Sequence, residues 1–514
     1  MITRRGFLGI SAASAGLALS GCGARSLPVR TTAFPHDRFT FDGLVSSLPV
    51  EHHYEAEVEG TIPAGIRGTL YRNGPGLFER GGMRKRSLLD GDGMIRSFRF
   101  HDRGVTFRNR FVQTRKYLDE GRAGEFIYAT WSTQAPGGMF ANLFMNGLMN
   151  QAGVTVFRRG DSLYAFDEST LPYELDPETL ETRGITSLGF PEESSVYAAH
   201  AKIDSANGEW LHFGLEQGRQ PSVQVTAISG EGRCRYQAVM PRRVYMHDWF
   251  VTGKYALFNL HPGEIELFGL LTGQNSLLES LRWRPEQGNI LLLLDRTGAG
   301  KPLVLQTEAA WMWHSLNAYD DGDEVVADFA GYDTPDHLIG PDAPAIAIMQ
   351  GRTSQVATTP ATLRRYRIDT RKGTVRQEVI SSEHDFEFPF VNQRLACRRH
   401  RYGYFTCGKE LGLFPLGVGR CDTATGKTDA YMFGKGSYCT EPVFVPVPGR
   451  GYTCGDSEEP GWILTEVFES SRGTSSLAVL RADRIADGPL AMVRLRHHLP
   501  ISFHGNWWGG DCAG

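Results

Sequence analysis

The 514-residue chain lacks several features that would assign it quickly to a class of protein. None of its eight cysteines forms a Cys-x-x-Cys pair, so it has no zinc-ribbon or thioredoxin motif. Its 58 acidic and 54 basic residues nearly balance, at a net charge of −4, and no run of like charges forms an interaction tail. We therefore expect no nucleic-acid partner. Glycine is abundant, at 60 residues, which suits a turn-rich globular protein.

The first 22 residues have the layout of an export signal. A basic start with Arg4 and Arg5 precedes an apolar stretch too short for an ordinary membrane span, and small residues follow. The arginine pair is typical of twin-arginine signals, and the ending Leu-Ser-Gly-Cys resembles a lipobox whose Cys22 is lipidated. A plain secretory signal with an incidental cysteine is the alternative. We predict a signal over 1–22, a tether over 23–40 and a folded domain over 41–514, anchored on the periplasmic side of a membrane.

Most of the chain repeats one kind of phrase. Short apolar and β-branched runs alternate with Gly, Asp and Asn turns, as in GDSLYAFDE, GEWLHFGLE and GKYALFNLHPG. Many short antiparallel strands without helical spacing favour a sandwich, a barrel or a propeller. A sandwich of this length is unusual, so a β-propeller is the preferred all-β architecture.

Two stretches interrupt this pattern with Leu, Phe and Met. They are GGMFANLFMNGLMNQ (137–151) and EIELFGLLTGQNSLLESLRW (264–283), and both are compatible with helices. One interpretation is that they cover the propeller core. The other is an apolar tunnel mouth that touches a membrane or takes up a lipid-like substrate.

Local context sorts the fifteen histidines. Nine have charged neighbours, and most of these are expected on the surface: His36, His52, His53, His101, His337, His384, His400, His497 and His498. His212 and His261 lie in strand or turn phrases without a metal-like feature. Four others interrupt apolar or aromatic runs in separate β units: His200 (VYAAHAKID), His247 (VYMHDWFV), His314 (AAWMWHSLNAYD) and His504 (PISFHGNWW). A propeller brings the inner strand of each sheet toward one axis, so these imidazoles can converge on a metal ion.

Three glutamates share the same apolar setting. They are Glu168 (LYAFDEST), Glu387 (DFEFPFVN) and Glu441 (YCTEPVFVPV). A buried carboxylate needs a partner, and a metal-bound imidazole commonly donates its second N–H to a carboxylate. This pattern predicts glutamates that support the histidines without binding the metal.

These segments resemble the carotenoid cleavage oxygenase family, which includes lignostilbene dioxygenases and the retinal pigment epithelium isomerase. GTIPAGIRGTLYRNGPGLF and LLDGDGMIRSFRF are similar to its opening blade; AHAKID, MHDWFVT, WHSLNAYDDGDEVV and SFHG to its iron-ligand segments; DFEFPFVN and EPVFVP to its glutamate segments. The resemblance runs from about residue 50 to the C-terminus. It implies a seven-bladed propeller with a helical or loop cap over the iron face. It also implies Fe(II) bound by His200, His247, His314 and His504, with Glu168, Glu387 and Glu441 behind them.

The resemblance implies dioxygen as co-substrate and no catalytic side chain beyond the metal centre. The expected reaction is cleavage of a carbon–carbon double bond in an apolar carotenoid or apocarotenoid, and the expected enzyme is a monomer in peripheral contact with a membrane. NQAGVTVF replaces an Asn-Thr-Asn-like run of the family. FIYATWSTQAPGGMF lacks the lysine with which stilbenoid-cleaving members receive a phenol. A stilbenoid dioxygenase and a non-catalytic exported propeller that binds apolar ligands remain the alternatives.

Overall fold

The computed structural model describes residues 41–145, 148–340, 343–351, 358–410, 413–455 and 458–509. The predicted export signal and tether, with Arg4, Arg5 and Cys22, lie outside the described residues. The described part is built mainly from antiparallel strands, which confirms the prediction of an all-β propeller.

Seven strands open the described chain: β1 (His53–Gly60), β2 (Gly68–Arg72), β3 (Pro75–Leu77), β4 (Glu79–Arg80), β5 (Met83–Arg84), β6 (Asp92–His101) and β7 (Gly104–Phe111). Two four-stranded sheets follow: β8 (Thr155–Arg159), β9 (Ser162–Phe166), β10 (Tyr173–Leu175) and β11 (Thr182–Ile185), then β12 (Lys202–Ile203), β13 (Trp210–Glu216), β14 (Ser222–Ile228) and β15 (Arg233–Val239). In each sheet, strands that follow one another in sequence lie side by side, as in a meander.

The third sheet contains β16 (Phe250–Val251), β17 (Tyr255–Leu260), β20 (Asn289–Asp295) and β21 (Leu303–Thr307), with the two-stranded excursion β18 (Gly263–Ile265) and β19 (Leu281–Trp283) between β17 and β20. The fourth contains β22 (Trp311–Asp321), β23 (Glu324–Tyr332), β24 (Thr362–Asp369) and β25 (Thr374–Ser381). The fifth contains β26 (Glu387–Phe390), β27 (Tyr402–Glu410), β28 (Phe414–Asp422) and β29 (Thr428–Met432). Six strands end the described chain: β30 (Ser437–Cys439), β31 (Val443–Pro446), β32 (Gly461–Glu469), β33 (Thr474–Arg481), β34 (Pro489–Arg494) and β35 (Gly505–Gly509).

The expected seven-bladed arrangement is not what the strand pairing gives. Five four-stranded sheets are separate, but eleven strands from the two ends of the described chain form one sheet. The reason is β1, which pairs with β34 through Glu57–Gly60 and with β7 through His53–Ala56. The last strand, β35, pairs with β2, so the end of the chain is joined to its beginning.

The helices are short: α1 (Arg115–Ala123), α2 (Met139–Asn142), α3 (Leu267–Leu271) and α4 (Pro344–Ala347). The 3-10 helices are Asp42–Val45, Leu143–Met145, Glu192–Ser194, Leu278–Ser280, Pro285–Gln287, Ile348–Gln350, Gln393–Leu395 and Ala482–Asp487. The two interrupting stretches are thus partly helical, and α2, α3 and the Leu143–Met145 turn pack together. Among the described residues, no helix has the length and apolar character needed to cross a bilayer.

The cores lie between neighbouring sheets. One cluster joins the second and third sheets through Phe213, Trp249 and Phe258, and another joins the third and fourth through Leu291, Phe329 and Tyr366. Large apolar side chains hold the sheets at fixed angles, so residues at the start of each innermost strand occupy fixed positions near the axis. That is where the four singled-out histidines lie.

Candidate metal centre

Each of the four histidines stands at or near the beginning of an edge strand. His200 lies two residues before β12, His247 three residues before β16, and His504 immediately before β35, whereas His314 is inside β22. Local contacts fix the backbone: the indole N–H of Trp249 donates to the carbonyl of His200 over 2.9 Å. The four histidines selected from their sequence context therefore occupy equivalent positions, each at or near the start of an edge strand.

The structure brings the four histidines together. All are buried, and one potential ligand atom from each lies within 4.8 Å of the others. The ring centroids are 4.4 to 6.1 Å apart, and the Nε2 atoms of His200 and His247 are separated by 2.9 Å. Two nitrogens about 2.1 Å from one ion can be about 4 Å apart, so the cluster is close to the size that a metal ion requires.

The three predicted glutamates lie directly behind three of these rings. His314 Nδ1 is 2.6 Å from Glu387 Oε2, and His504 Nδ1 is 2.7 Å from Glu441 Oε1. His247 Nδ1 bonds to Glu168 Oε1. Because a carboxylate accepts, each of these Nδ1 atoms donates its hydrogen, and the Nε2 lone pair is left for a metal.

His200 has no glutamate partner. The nearest carboxylate, Asp248, is 4.0 Å from its Nδ1, beyond hydrogen-bonding distance. Asp248 instead bonds to Lys202 Nζ at 2.7 Å and accepts from the backbone N–H and hydroxyl of Ser315, both at 2.8 Å. The carboxylate beside His200 is therefore used to hold the strands together.

Burial and neighbouring charges shift the pKa values of the histidines and of their carboxylate partners in different directions. Burial, reinforced by the other histidines, holds the pKa of His200 and His504 well below the ordinary value. Burial also acts to lower the pKa of His247, but the adjacent Glu168 carboxylate raises it above the ordinary value. Burial alone would raise the pKa of Glu387, but His314 and Lys409 lower it to about 2. A neutral imidazole next to an ionised carboxylate is the protonation state that metal binding needs.

The pKa of Glu441 depends on a different set of neighbours. Burial raises its pKa to about 7, although Arg72 and the backbone N–H of Gly505 oppose this shift. Arg72 Nη1 is 3.0 Å from Glu441 Oε2 and Gly505 N is 2.7 Å away. Arg72 is itself fully buried and thus places a fixed positive charge behind His504. Arg72 could not be selected from the sequence, because its strand phrase GTLYRNGPG gives no sign of where the side chain points.

Two cavities meet at the histidines. The first, of about 140 Å³, has mostly apolar walls, which include Leu88, Trp131, Leu338, Ile501 and Phe503. His247, His314 and His504 line it, and so do Glu168 and Glu387. The second, of about 100 Å³, is more polar, and His200, Lys202, Asp248, Ser315 and Asn317 are in its wall. His314 and His504 line both.

Sequence context also made errors. His337 and His400 belong to the nine histidines with charged neighbours, most of which were expected on the surface, but both are buried. His400 is 3.3 Å from the buried Asp328, and His337 lines the apolar cavity. Lys409 and Tyr332 also line that cavity and were not singled out. Their roles depend on neighbours far away in sequence, which local context does not contain.

Fold and site together define a class: a β-propeller with a buried four-histidine centre supported by carboxylates and open to an apolar cavity. Comparison with known proteins assigns the chain within this class. The family described as "Retinal pigment epithelial membrane protein" matches residues 46–509. The chain belongs to this family, that of the carotenoid oxygenases, which confirms the resemblance found in the sequence.

Individual relatives agree with this family assignment. Apocarotenoid-15,15'-oxygenase from Synechocystis sp. is 30% identical over 475 residues, which cover 90% of this chain and 94% of that protein. Isoeugenol monooxygenase from Pseudomonas nitroreducens is 28% identical, covering 88% and 94%. A solved structure of cobalt-substituted Synechocystis apocarotenoid oxygenase has a TM-score of 0.84 at 27% identity, covering 93% of this chain and 99% of that one.

Proposed function

We propose that the protein is an Fe(II)-dependent dioxygenase that cleaves one carbon–carbon double bond of a carotenoid or apocarotenoid. The proposal depends above all on one observation: three rings of the four-histidine cluster lie in the wall of an apolar cavity. The similarity to an apocarotenoid oxygenase supports this substrate class. Both oxygen atoms of one O₂ would be added across the double bond, giving two carbonyl products.

The donor set fits iron. Four imidazoles without a thiolate or a carboxylate among the ligands suit Fe(II) among other divalent metals. A solved structure of Synechocystis apocarotenoid oxygenase is described as cobalt-substituted, which supports a metal ion in that relative. When bound at His200, His247, His314 and His504, Fe(II) would supply the redox chemistry that lets dioxygen react with an olefin. The glutamates keep three of the imidazoles in position, and Arg72 offsets the charge of Glu441.

The remaining work falls to the cavity walls. Leu88, Leu338 and Phe503 bind an apolar chain and exclude water, while Trp131 and Trp313 offer flat aromatic surfaces to a conjugated system. Positioning of the double bond beside the histidines replaces acid–base catalysis, so no further catalytic side chain is required.

Anaerobic Fe(II) loading followed by exposure to air tests the proposal. We would supply a panel of apocarotenoids and stilbenoids and identify carbonyl products by mass spectrometry. Oxygen-dependent aldehydes from an apocarotenoid are the expected result. Products from stilbenoids alone would favour the alternative suggested by a relative named lignostilbene-α,β-dioxygenase. A panel without any product, at one bound iron per chain, would leave only the non-catalytic binding protein.

We also propose that the enzyme takes its substrate from a membrane as a monomer in peripheral contact with it. Phe140, Phe144 and Phe268 are between 63% and 68% exposed on the packed elements α2, Leu143–Met145 and α3. A small cavity of about 40 Å³ beneath them shares Trp131 and Tyr245 with the apolar cavity. These rings would insert into lipid, and the neighbouring helices would cap the metal face.

Co-sedimentation with lipid vesicles tests this contact. The double variant Phe140→Asp, Phe268→Asp should lose binding to the vesicles. Val379→Asp, which changes an exposed apolar side chain on β25, should keep it. Equal binding of both variants would contradict the proposal. Light scattering of the lipid-free protein should give the mass of one chain.

We further propose that a twin-arginine signal exports the protein folded, with iron already bound, and that lipidated Cys22 anchors it on the periplasmic side. Nitrogen sites prefer copper and zinc to Fe(II), so loading before export has an advantage. Arg4→Lys with Arg5→Lys should block export, and Cys22→Ser should release the protein from the membrane. Unchanged export of iron-loaded protein in the double variant would refute the loading argument.

A further inference from the structure

His337 lies in the wall of the apolar cavity, one side chain away from the histidine cluster. Trp313 contacts both places: its ring centroid is 5.2 Å from that of His247 and 6.1 Å from that of His337. His337 follows β23 and is buried, with 5% of its surface exposed. It contacts none of the four clustered rings, so it is free to serve another purpose.

A single contact fixes the tautomer of His337. The indole N–H of Trp313, which can only donate, is 2.6 Å from His337 Nε2. Nε2 must therefore accept, and burial lowers the pKa of His337 to about 3, so the ring is neutral. A neutral imidazole that accepts at Nε2 carries its hydrogen on Nδ1.

That Nδ1–H donor has no partner among the described residues. Leaving a buried donor unpaired costs about 1–3 kcal/mol, so such a group in a native protein calls for an explanation. His337 borders the place where an apolar substrate is proposed to lie, and Leu338 and Ala345 beside it offer no acceptor side chain.

Two other polar side chains on this part of the wall are already engaged. The hydroxyl of Tyr332 donates to Glu387 Oε1 over 2.9 Å. Lys409 Nζ donates to the Tyr332 oxygen at 3.1 Å and is paired with Asp385 at 3.1 Å. The ring of Tyr332 is 4.6 Å from that of His337. Tyr332 and Lys409 thus each donate to a protein oxygen, whereas the Nδ1–H of His337 has no acceptor among the described residues.

We propose that the Nδ1–H of His337 binds an oxygen atom of the substrate, so that the enzyme selects an olefin bearing a hydroxyl, carbonyl or phenol over the corresponding hydrocarbon. This inference rests on the proposed function and assigns His337 a role in specificity. Trp313 holds the ring in the donating tautomer, and the apolar wall strengthens the hydrogen bond by excluding water.

Binding to the iron-loaded enzyme under argon tests the proposal without turnover. The probes are two matched pairs: an apocarotenal with the hydrocarbon of equal length, and a hydroxystilbene with stilbene. Quenching of fluorescence from Trp131 and Trp313, which line the cavity, reports binding. The wild type should bind the oxygenated member of one pair about tenfold more tightly, the factor that one hydrogen bond supplies. The pair that shows this preference identifies the source of the oxygen.

Variants locate the effect. His337→Phe should abolish the preference by weakening the oxygenated ligand alone, whereas Leu338→Ala should weaken both members equally. His337→Asn, whose amide can accept from Trp313 and donate to the ligand, should keep part of the preference and serves if the Phe variant does not fold. Equal binding of both members by the wild type, or an unchanged preference in His337→Phe, would overturn the inference.

Activity in air separates this inference from the proposed function. If the oxygenated ligand binds preferentially but no ligand is cleaved, the proposed reaction is wrong and the role of His337 stands. If both members of a pair are bound equally and cleaved, the reaction stands and the role of His337 is wrong.

Discussion

The two cavities that meet at the histidines differ in almost every respect except their contact with the cluster. The apolar cavity has three of the four rings in its wall, and the three glutamates support those same rings. The polar cavity contains His200, whose nearest carboxylate is bound to Lys202 and Ser315 instead. The glutamates fix the rings next to which substrate is proposed to bind, while on the other side the charged network mainly ties strands together.

The difference indicates how one buried site can combine charge with an apolar pocket. Each buried carboxylate accepts from a ring, and two of them accept from further donors: Tyr332 donates to Glu387 and Arg72 to Glu441. The cavity itself is left with mainly apolar surface.

Removal of a ring shared by both cavities should have the largest effect. His314→Ala should abolish stoichiometric iron binding and all oxygen-dependent cleavage, because the site loses a nitrogen and Glu387 loses its partner. Iron analysis and product formation measure this. The matched control is His261→Phe, a buried ring stacked on Trp311 at 4.2 Å with both nitrogens unpaired, which should retain its iron. Full iron content in His314→Ala would show that the proposed metal centre is wrong.

Substitution of a carboxylate should affect metal affinity on the apolar side and stability on the polar side. Glu387→Gln should weaken metal affinity about 10- to 100-fold, because the amide cannot replace the carboxylate behind His314. Asp248→Asn should change metal affinity less and instead lower the free energy of unfolding by about 1–3 kcal/mol, because Lys202 loses its carboxylate partner and keeps the hydroxyl of Ser315. Chelator competition and urea unfolding measure the two effects. Equal losses of metal affinity would show that Asp248 supports His200 after all.

Local sequence was enough to predict the histidines and glutamates of the candidate site, but not the residues that surround them. The four histidines and three glutamates could be selected because each interrupts an apolar run, which is a signal within a few residues. Arg72, Lys409 and the Asp248–Lys202–Ser315 network could not, because those contacts join segments far apart in the chain. The fold class followed from strand phrases, but the number of separate sheets was wrong because pairing on both sides of β1 is also a long-range property.

The smallest expected effect concerns the walls of the cavities. Ala345→Trp fills part of the apolar cavity and should raise the dissociation constant of a polyene about tenfold without loss of iron. Gln393→Trp places the same bulk at an exposed position on the polar cavity and should change that constant less than twofold. Fluorescence titration under argon measures both, and a urea transition checks that the buried substitution, which can cost about 1–3 kcal/mol through overpacking, leaves the protein folded. The reverse order of effects would assign substrate to the polar side, where His200 would then be the ring nearest to it.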